Sequence, residues 1–158
     1  MNDPSPAEIL RRARPIPTYR DHPATSPVDI HGVTPAGGPV SIDLEGPAQP
    51  TLLLFLSASC QGCRDLWEGT AELQQALPEG VRTVIVTRGP DHEDAGAIAA
   101  LAPADTEVVM SSGAFRDYRV GGPPFLVVVD HGEVRTEGVA WGIGETVRAT
   151  RDALGPGS

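Results

Sequence analysis

The stretch Leu52-Leu-Leu-Phe-Leu-Ser-Ala-Ser-Cys-Gln-Gly-Cys-Arg-Asp-Leu-Trp67 decides the fold of this chain. Its first five residues are continuously apolar, which is typical of a β-strand buried on both faces. Residues on one helical face follow it, at Leu66, Thr70, Leu73 and Leu77. Their spacing predicts a helix over residues 62–77. Both cysteines therefore lie between a buried strand and the start of a helix.

Further strands and helices alternate around this unit. The other strands are predicted at residues 28–30, 40–42, 81–87, 107–110, 125–129 and 133–139. The other helices are predicted at residues 7–14, 91–101, 114–119 and 146–154. The alternation favours an α/β fold with a central mixed sheet flanked by helices, preceded by an N-terminal β-hairpin.

Two local patterns add detail to this prediction. The acidic run Asp91–Asp94 is expected to form the first turn of its helix, where negative charge suits the helix dipole. Residues 141–144 are expected to form a loop whose Trp141 packs against the domain.

The amino-acid composition argues against several classes of function. The chain has 158 residues, which suits one domain, and its net charge of −9 disfavours a nucleic-acid partner. All 12 basic residues are arginines. Lysine chemistry, as in a Schiff base or a phosphate-binding P-loop, is therefore excluded.

The uneven distribution of prolines indicates how the chain is divided into an arm and a domain. Ten of the 16 prolines lie in residues 1–50, which predicts a proline-rich arm over 1–27, a domain over 28–154 and a tail over 155–158. No apolar run approaches the roughly 20 residues that a bilayer requires, and no apolar segment follows the early arginines. We expect no membrane insertion and a cytoplasmic location as given. Export or membrane tethering is the alternative if a further N-terminal segment exists.

Cys60 and Cys63 carry the chemistry that the sequence suggests. The unpaired N–H groups at a helix start favour a thiolate, which is the attacking form of cysteine. Two sulfurs three residues apart can close a small disulfide. In that scheme the more exposed Cys60 attacks a substrate and Cys63 resolves the mixed disulfide.

Two other interpretations of this cysteine pair stay open. A CxxC pair is also half of a zinc site, which would need a ligand from among His22, His31, His92 and His131. None of these histidines shows an HxxxH-type pairing, so no metal is expected. The cysteines could also be structural. The position between strand and helix favours a dithiol redox centre.

The same stretch, together with Tyr118-Arg-Val-Gly-Gly-Pro-Pro-Phe-Leu-Val-Val-Val-Asp130, resembles the thioredoxin-like superfamily. The TlpA/MauD-like branch of thiol-disulfide oxidoreductases is the most similar, and the resemblance covers roughly residues 28–154. It implies a thioredoxin-like fold and a redox-active disulfide that needs no cofactor. It also implies protein thiol or disulfide substrates and a redox partner. The missing export signal favours a reductase role, because the cytosol keeps thiols reduced; in an exported protein the same residues could serve disulfide formation or isomerisation. We expect a monomer.

The resemblance implies a substrate groove around the cysteines. Pro124 matches the family's cis-proline and Pro123 the residue before it, facing Gln61 and Gly62. A trans Pro123–Pro124 bond, or a cis bond at Gly122–Pro123, is the alternative. Trp67 lines this groove or packs in the core, and its place on the helix favours the core.

Three departures from the family pattern limit what the resemblance implies. Leu54 stands where thioredoxin-type reductases place a buried acid that assists Cys63, so another carboxylate or water must carry that proton. Gln61-Gly62 replaces the usual Gly-Pro, which leaves the redox potential open. Pro123 has no N–H, so only its carbonyl can pair with a substrate backbone. A non-catalytic binding module, or less favoured a metal carrier, is the alternative function.

Overall fold

The computed structural model describes residues 26–46 and 49–155. The strands are β1 (Ile30–Val33), β2 (Pro39–Ile42), β3 (Thr51–Phe55), β4 (Arg82–Thr87), β5 (Glu107–Met110), β6 (Phe125–Asp130) and β7 (Glu133–Val139). The helices in these ranges are α1 (Arg64–Glu68), α2 (Thr70–Ala76), α3 (Ala95–Leu101), α4 (Ser112–Asp117) and α5 (Ile143–Leu154). The predicted helix at 7–14 and His22 lie outside the described residues. None of the helices described is long and apolar enough to cross a bilayer.

The strands form one mixed sheet in the order β2-β1-β5-β4-β3-β6-β7. The apolar run of β3 is completely buried, because β4 pairs with it in parallel and β6 pairs with it in antiparallel. The N-terminal hairpin of β1 and β2 is present and joins the sheet through β5. The predicted mixed α/β sheet with a hairpin extension is confirmed.

Alternate residues of β3 enter two separate cores. Leu52, Leu54 and Leu56 pack on the face covered by α1, α2, α3 and α5. Leu53 and Phe55 pack on the other face, which α4 and the N-terminal hairpin cover. A strand with apolar side chains in both directions is what a sheet covered on both faces requires.

The helix predicted over 62–77 is divided into three parts. A 3₁₀ turn spans Gln61–Cys63, α1 follows it, and Gly69 separates α1 from α2. A Cβ at Gly69 would overlap the side chain of Ile143 and approach the carbonyl oxygen of Asp65. The start of α5 thus packs directly on this glycine, and glycine itself has low helix propensity.

The acidic run Asp91–Asp94 is not the first turn of a helix, contrary to the prediction. The N–H groups of His92 and Glu93 both donate to the Gly89 carbonyl, which makes a turn, and α3 begins only at Ala95. Asp94 caps the helix by accepting from the Gly96 N–H. The Ser112 hydroxyl donates to Asp91, which ties the turn to α4 instead of extending α3.

Asp29 gives a pH-dependent contribution to stability. Its carboxylate accepts hydrogen bonds from the N–H groups of Leu44 and Glu45, at 2.5 and 2.8 Å, and these bonds hold the pKa of Asp29 below its ordinary value. A carboxyl with a lowered folded-state pKa stabilises the fold at neutral pH and loses that contribution as pH falls through its folded-state pKa. We expect Asp29→Asn to lower the melting temperature at pH 7 but hardly at about pH 2, below the ordinary Asp pKa. Thermal unfolding followed by circular dichroism measures it, and an equal effect of Asp43→Asn, at an exposed position nearby, would contradict it.

Candidate active site

The two cysteines and the Pro123-Pro124 pair lie at one edge of the sheet. Phe55, the last residue of β3, pairs with Phe125, the first residue of β6. Because these strands are antiparallel, the chain that leaves β3 and the chain that enters β6 meet at the same edge. This topology brings segments 60 positions apart in sequence into one site.

Cys60 and Cys63 form a disulfide, with 5.3 Å between their Cα atoms. Cys63 is completely buried, whereas Cys60 is only partly buried. Cys63 packs in the same core as Leu54 and Leu66. The order of exposure is the expected one, since a reagent in solution reaches only the sulfur of Cys60.

Two backbone N–H groups that follow Cys60 are unpaired in the described residues. The Cys63 N–H donates to the Cys60 carbonyl, which closes the 3₁₀ turn. The N–H groups of Gln61 and Gly62 have no hydrogen-bond acceptor in the described parts of the chain. Unpaired N–H groups at the start of a helical turn stabilise a nearby thiolate.

The Pro123–Pro124 bond is cis, as expected, and Pro124 faces the cysteine turn. A Cβ built at Gly62 would lie 3.5 Å from Cδ of Pro124 and 3.9 Å from Sγ of Cys60. The carbonyl of Pro124 accepts from the Ala140 N–H of the neighbouring strand segment. No described residue donates to the carbonyl of Pro123, which leaves it available to a substrate backbone.

A surface cavity of about 320 Å³ opens beside Cys60. Its lining comprises Ala58, Ser59, Cys60, Gln61, Arg64, Trp67, Glu68 and Leu101. Leu101 was not predicted here, because only the folding of α3 back onto α1 brings it to this site. It is one of two exposed large apolar side chains in the described residues, and the sequence contains no signal for it.

The two tryptophans have opposite environments. Trp67 is buried in the core, as its helix position favours, and its Nε1–H donates to the Ser57 carbonyl at 3.1 Å. It nevertheless forms part of the cavity beside Cys60. Trp141 was predicted to pack, and this prediction is wrong, since 58% of it is exposed. Gly142 reaches a φ of 114° and α5 starts immediately at Ile143, so the segment is too short to fold the indole inward.

Leu54 offers no carboxylate to the cysteines. It is fully buried in the core that also holds Cys63, so the position of the family's buried acid is apolar. Glu68 and Arg64 are the charged side chains of the cavity beside Cys60. Glu68 is therefore the one carboxylate in the lining of this cavity.

The three described histidines form no metal-binding group with the cysteine pair. In residues 26–46 and 49–155, no three His, Cys, Asp or Glu side chains form a group that could hold a metal ion. His31 contacts Ser41 on the N-terminal hairpin, and His131 lies beside Asp130 in the turn between β6 and β7. The described histidines thus have positions away from Cys60.

The close approach of Gly62 to Pro124 gives a test of the site. Gly62→Ala places a methyl group at an ordinary contact distance from both Pro124 and Cys60 and should leave exchange rates unchanged. Gly62→Val adds two methyl groups on the same carbon, and we expect exchange with a peptide disulfide to slow by about tenfold. Stopped-flow kinetics on both variants checks this. Equal rates for the two would show that bulk at Gly62, beside Pro124, does not restrict the approach of substrates to Cys60.

Comparisons with known proteins match this geometry at the level of the fold. A thioredoxin-family thiol:disulfide interchange protein from Chlorobium tepidum superposes with a TM-score of 0.65 and 21% identity, covering 86% of this chain and 100% of that chain. The thioredoxin domain of a thiol-disulfide oxidoreductase from Bacteroides vulgatus gives 0.62 and 22%, covering 84% and 99%. A secreted disulfide oxidoreductase from Mycobacterium tuberculosis gives 0.62 and 16%, covering 79% and 94%.

The likeness lies in structure and only weakly in sequence. No protein-family model matches the sequence, and no curated protein matches it. The chain has the thioredoxin-like fold, as the resemblance of its two motif segments predicts.

Proposed function

We propose that this chain is a thiol-disulfide oxidoreductase in which Cys60 is the nucleophile and Cys63 the resolving thiol. One observation carries the proposal: a partly exposed Cys60 is bonded to a completely buried Cys63 at the sheet edge. The cis-proline segment lies on the other side of Gly62. The solved neighbours that are named as a thiol-disulfide oxidoreductase and a thiol:disulfide interchange protein support the same conclusion.

The proposed reaction is two successive exchanges of thiolate and disulfide. The Cys60 thiolate attacks one sulfur of a substrate disulfide, forms a mixed disulfide and releases the other substrate sulfur as a thiolate. The Cys63 thiolate then attacks the Cys60 sulfur and releases the second substrate thiolate. The substrate gains two electrons, and the protein is left with the Cys60–Cys63 disulfide. A dithiol reductant must then reduce this disulfide to return the protein to its starting form.

Protein disulfides are the proposed substrates, held in a groove formed by Pro123, Pro124, Gln61 and Gly62, with Trp67 below. The free carbonyl of Pro123 would accept one backbone hydrogen bond from an extended substrate. The second bond of a full strand pairing has no donor at Pro123. The proposed working unit is one domain over residues 28–154, acting as a monomer.

The proposed direction is reduction, for a compartment that keeps thiols reduced. One solved neighbour of this fold is a secreted protein, so the compartment in which this chain works must also be tested. In an oxidising compartment the same two sulfurs would transfer a disulfide to substrates instead.

The test is equilibration of the full chain against glutathione buffers, with the Cys60–Cys63 disulfide quantified by thiol alkylation and mass spectrometry. We expect a reversible two-electron transition between about −270 and −120 mV, the range of known dithiol enzymes. A reduction potential near the lower end of this range supports the reductase, and one near the upper end supports an oxidant. A disulfide that never forms would overturn the proposal, and stoichiometric zinc or copper in protein purified without an affinity tag would favour the metal carrier.

A further inference from the structure

Three arginines surround a second cavity at the edge of the sheet that carries the cysteines. The cavity, of about 340 Å³, is lined by Arg88, Arg116 and Arg119 together with His92, Ser112 and Phe115, and it ends at Gly121. Arg88 follows β4, and the other two arginines lie at the end of α4 and just beyond it. We call this cavity the arginine pocket.

The arginine pocket is positively charged, whereas the chain as a whole has a negative net charge. The chain has 21 acidic residues and a net charge of −9, yet no acidic side chain lines this cavity. Three arginines elsewhere in the described residues pair with glutamates: Arg82 with Glu107, Arg135 with Glu133 and Arg148 with Glu145. None of the three pocket arginines forms an ion pair within residues 26–46 and 49–155.

Asp91 contacts two lining residues of the pocket but forms no ion pair with its three arginines. Asp91 accepts a hydrogen bond from the Ser112 hydroxyl, and its other oxygen lies 3.3 Å from Nε2 of His92. Its direct partners are therefore a hydroxyl and an imidazole; the Ser112 hydrogen bond and, more weakly, the charges of His92 and Arg116 hold the pKa of Asp91 below its ordinary value. The three guanidinium groups keep their donors for a ligand.

Local contacts restrict the side chain of Arg88 and the backbone of Arg119. The guanidinium of Arg88 lies over the ring of Phe115, 4.4 Å from its centroid. Arg119 has a φ of 55°, and its N–H donates to the Arg116 carbonyl. Because the guanidinium of Arg88 is already held in place, it loses less side-chain entropy when an anion binds.

An open strip of backbone connects the arginine pocket to the redox site. Gly121 and Gly122 are exposed, and a Cβ at either would have nothing within 4 Å. Pro123 and Pro124 continue this strip up to Gly62 and Cys60. Three residues of extended chain span about 10 Å, so a substrate segment that passes Pro124 reaches the arginines within a few residues of its cysteine.

We propose that the arginine pocket binds the carboxylates of an acidic segment in the protein substrate whose disulfide reacts with Cys60. This inference rests on the proposed function and adds a substrate class to it. Guanidinium groups bind carboxylates with paired, charge-assisted hydrogen bonds. The surrounding negative charge of the domain would repel acidic segments elsewhere, so the pocket also fixes the position of the segment.

A binding experiment tests the pocket without using the redox chemistry. A fluorescent, cysteine-free peptide with four glutamates is titrated against the oxidised full chain, and anisotropy is recorded. We expect binding that weakens at least tenfold in Arg116→Gln/Arg119→Gln, at two exposed positions. Arg135→Gln/Arg148→Gln removes the same charge from arginines outside the pocket and should change binding less than twofold. Equal losses in both double variants, or equal binding of a glutamine peptide, would overturn the inference.

Exchange kinetics then separate this inference from the proposed function. Peptide disulfides with glutamate, glutamine or lysine three to five residues from the cysteine, on either side, are compared with the neutral bis(2-hydroxyethyl) disulfide. We expect the glutamate peptide to react about tenfold faster than the glutamine one, and the Arg116/Arg119 variant to lose only this preference. A protein that exchanges with the neutral disulfide but ignores peptide charge refutes the arginine pocket alone. Failure to exchange with any disulfide refutes the proposed function. In that case the anisotropy experiment still shows whether the arginine pocket binds an acidic peptide.

Discussion

Replacing Cys60 with serine is expected to lower the rate of exchange with peptide disulfides by about 10³-fold or more, which is the scale of losing a covalent nucleophile. Serine cannot form a disulfide, and Cys63 cannot take over because it is completely buried. Stopped-flow measurement of thiol release gives the rate. The matched control is reduced wild-type protein, which also lacks the internal disulfide, so a difference in folding cannot explain the loss.

Cys63→Ser is expected to behave differently, because it leaves the attacking sulfur in place. Cys60 still forms the mixed disulfide, but no second thiolate is present to resolve it. The complex should therefore accumulate in a 1:1 ratio, visible on a non-reducing gel and by intact mass, and disappear on adding a small thiol. A Cys60→Ser protein should trap nothing under the same conditions.

The non-catalytic binding module makes the opposite prediction for both variants. If the cysteines only support the fold, Cys60→Ser and Cys63→Ser would lose stability alike, and neither would trap a substrate. The asymmetry of exposure between the two sulfurs is the reason to expect an asymmetric result. Equal behaviour of the two variants would therefore count against the oxidoreductase.

The sequence predicted the sheet because its signals there are local. The apolar run at β3 and the β-branched β4 identify buried strands by composition alone, and β5 and β7 have the predicted bounds. The helix over 62–77 was predicted as continuous because periodicity does not record a tertiary contact. Its division at Gly69 follows from the packing of Ile143, a residue far along the chain.

Only those parts of the site that consist of residues close together in the sequence could be predicted. The CxxC spacing and the Pro123-Pro124 pair are motifs within short segments, and the resemblance placed them opposite each other. The arginine pocket has no such signal. Arg88 is separated from Arg116 and Arg119 by a helix and a strand, and only the sheet order brings them together. Trp141 was misplaced for a related reason, since hydrophobicity favours burial but the tight start of α5 prevents it.

The second large effect is expected at Trp67, which packs against the loop between β3 and the cysteine turn. Its indole is 4% exposed, and its Nε1–H donates to the carbonyl of Ser57, two residues after β3. Trp67→Ala leaves a cavity under the cysteine turn and should lower the free energy of unfolding by about 3–5 kcal/mol. Because whole domains are stable by only about 5–15 kcal/mol, this variant should unfold at a much lower urea concentration.

Trp67→Phe separates the ring from its hydrogen bond. The phenyl group fills most of the space but cannot donate to the Ser57 carbonyl, which is buried. An unsatisfied buried polar group costs about 1–3 kcal/mol, so this variant should lie between the wild type and Trp67→Ala. Urea unfolding of the oxidised proteins, followed by far-ultraviolet circular dichroism, measures all three without relying on tryptophan fluorescence.

Trp141 provides a matched control within the same chain. It is the other tryptophan, but with 58% exposure its replacement by alanine should change the free energy of unfolding by no more than about 0.5 kcal/mol. If Trp67→Ala and Trp141→Ala had equal effects, burial would not explain the loss. If Trp67→Phe matched the wild type in stability but slowed exchange at Cys60, the indole would act on the cavity beside Cys60 instead of on the core. The expected order of stability, wild type above Trp67→Phe above Trp67→Ala, thus assigns the residue to the support of the loop.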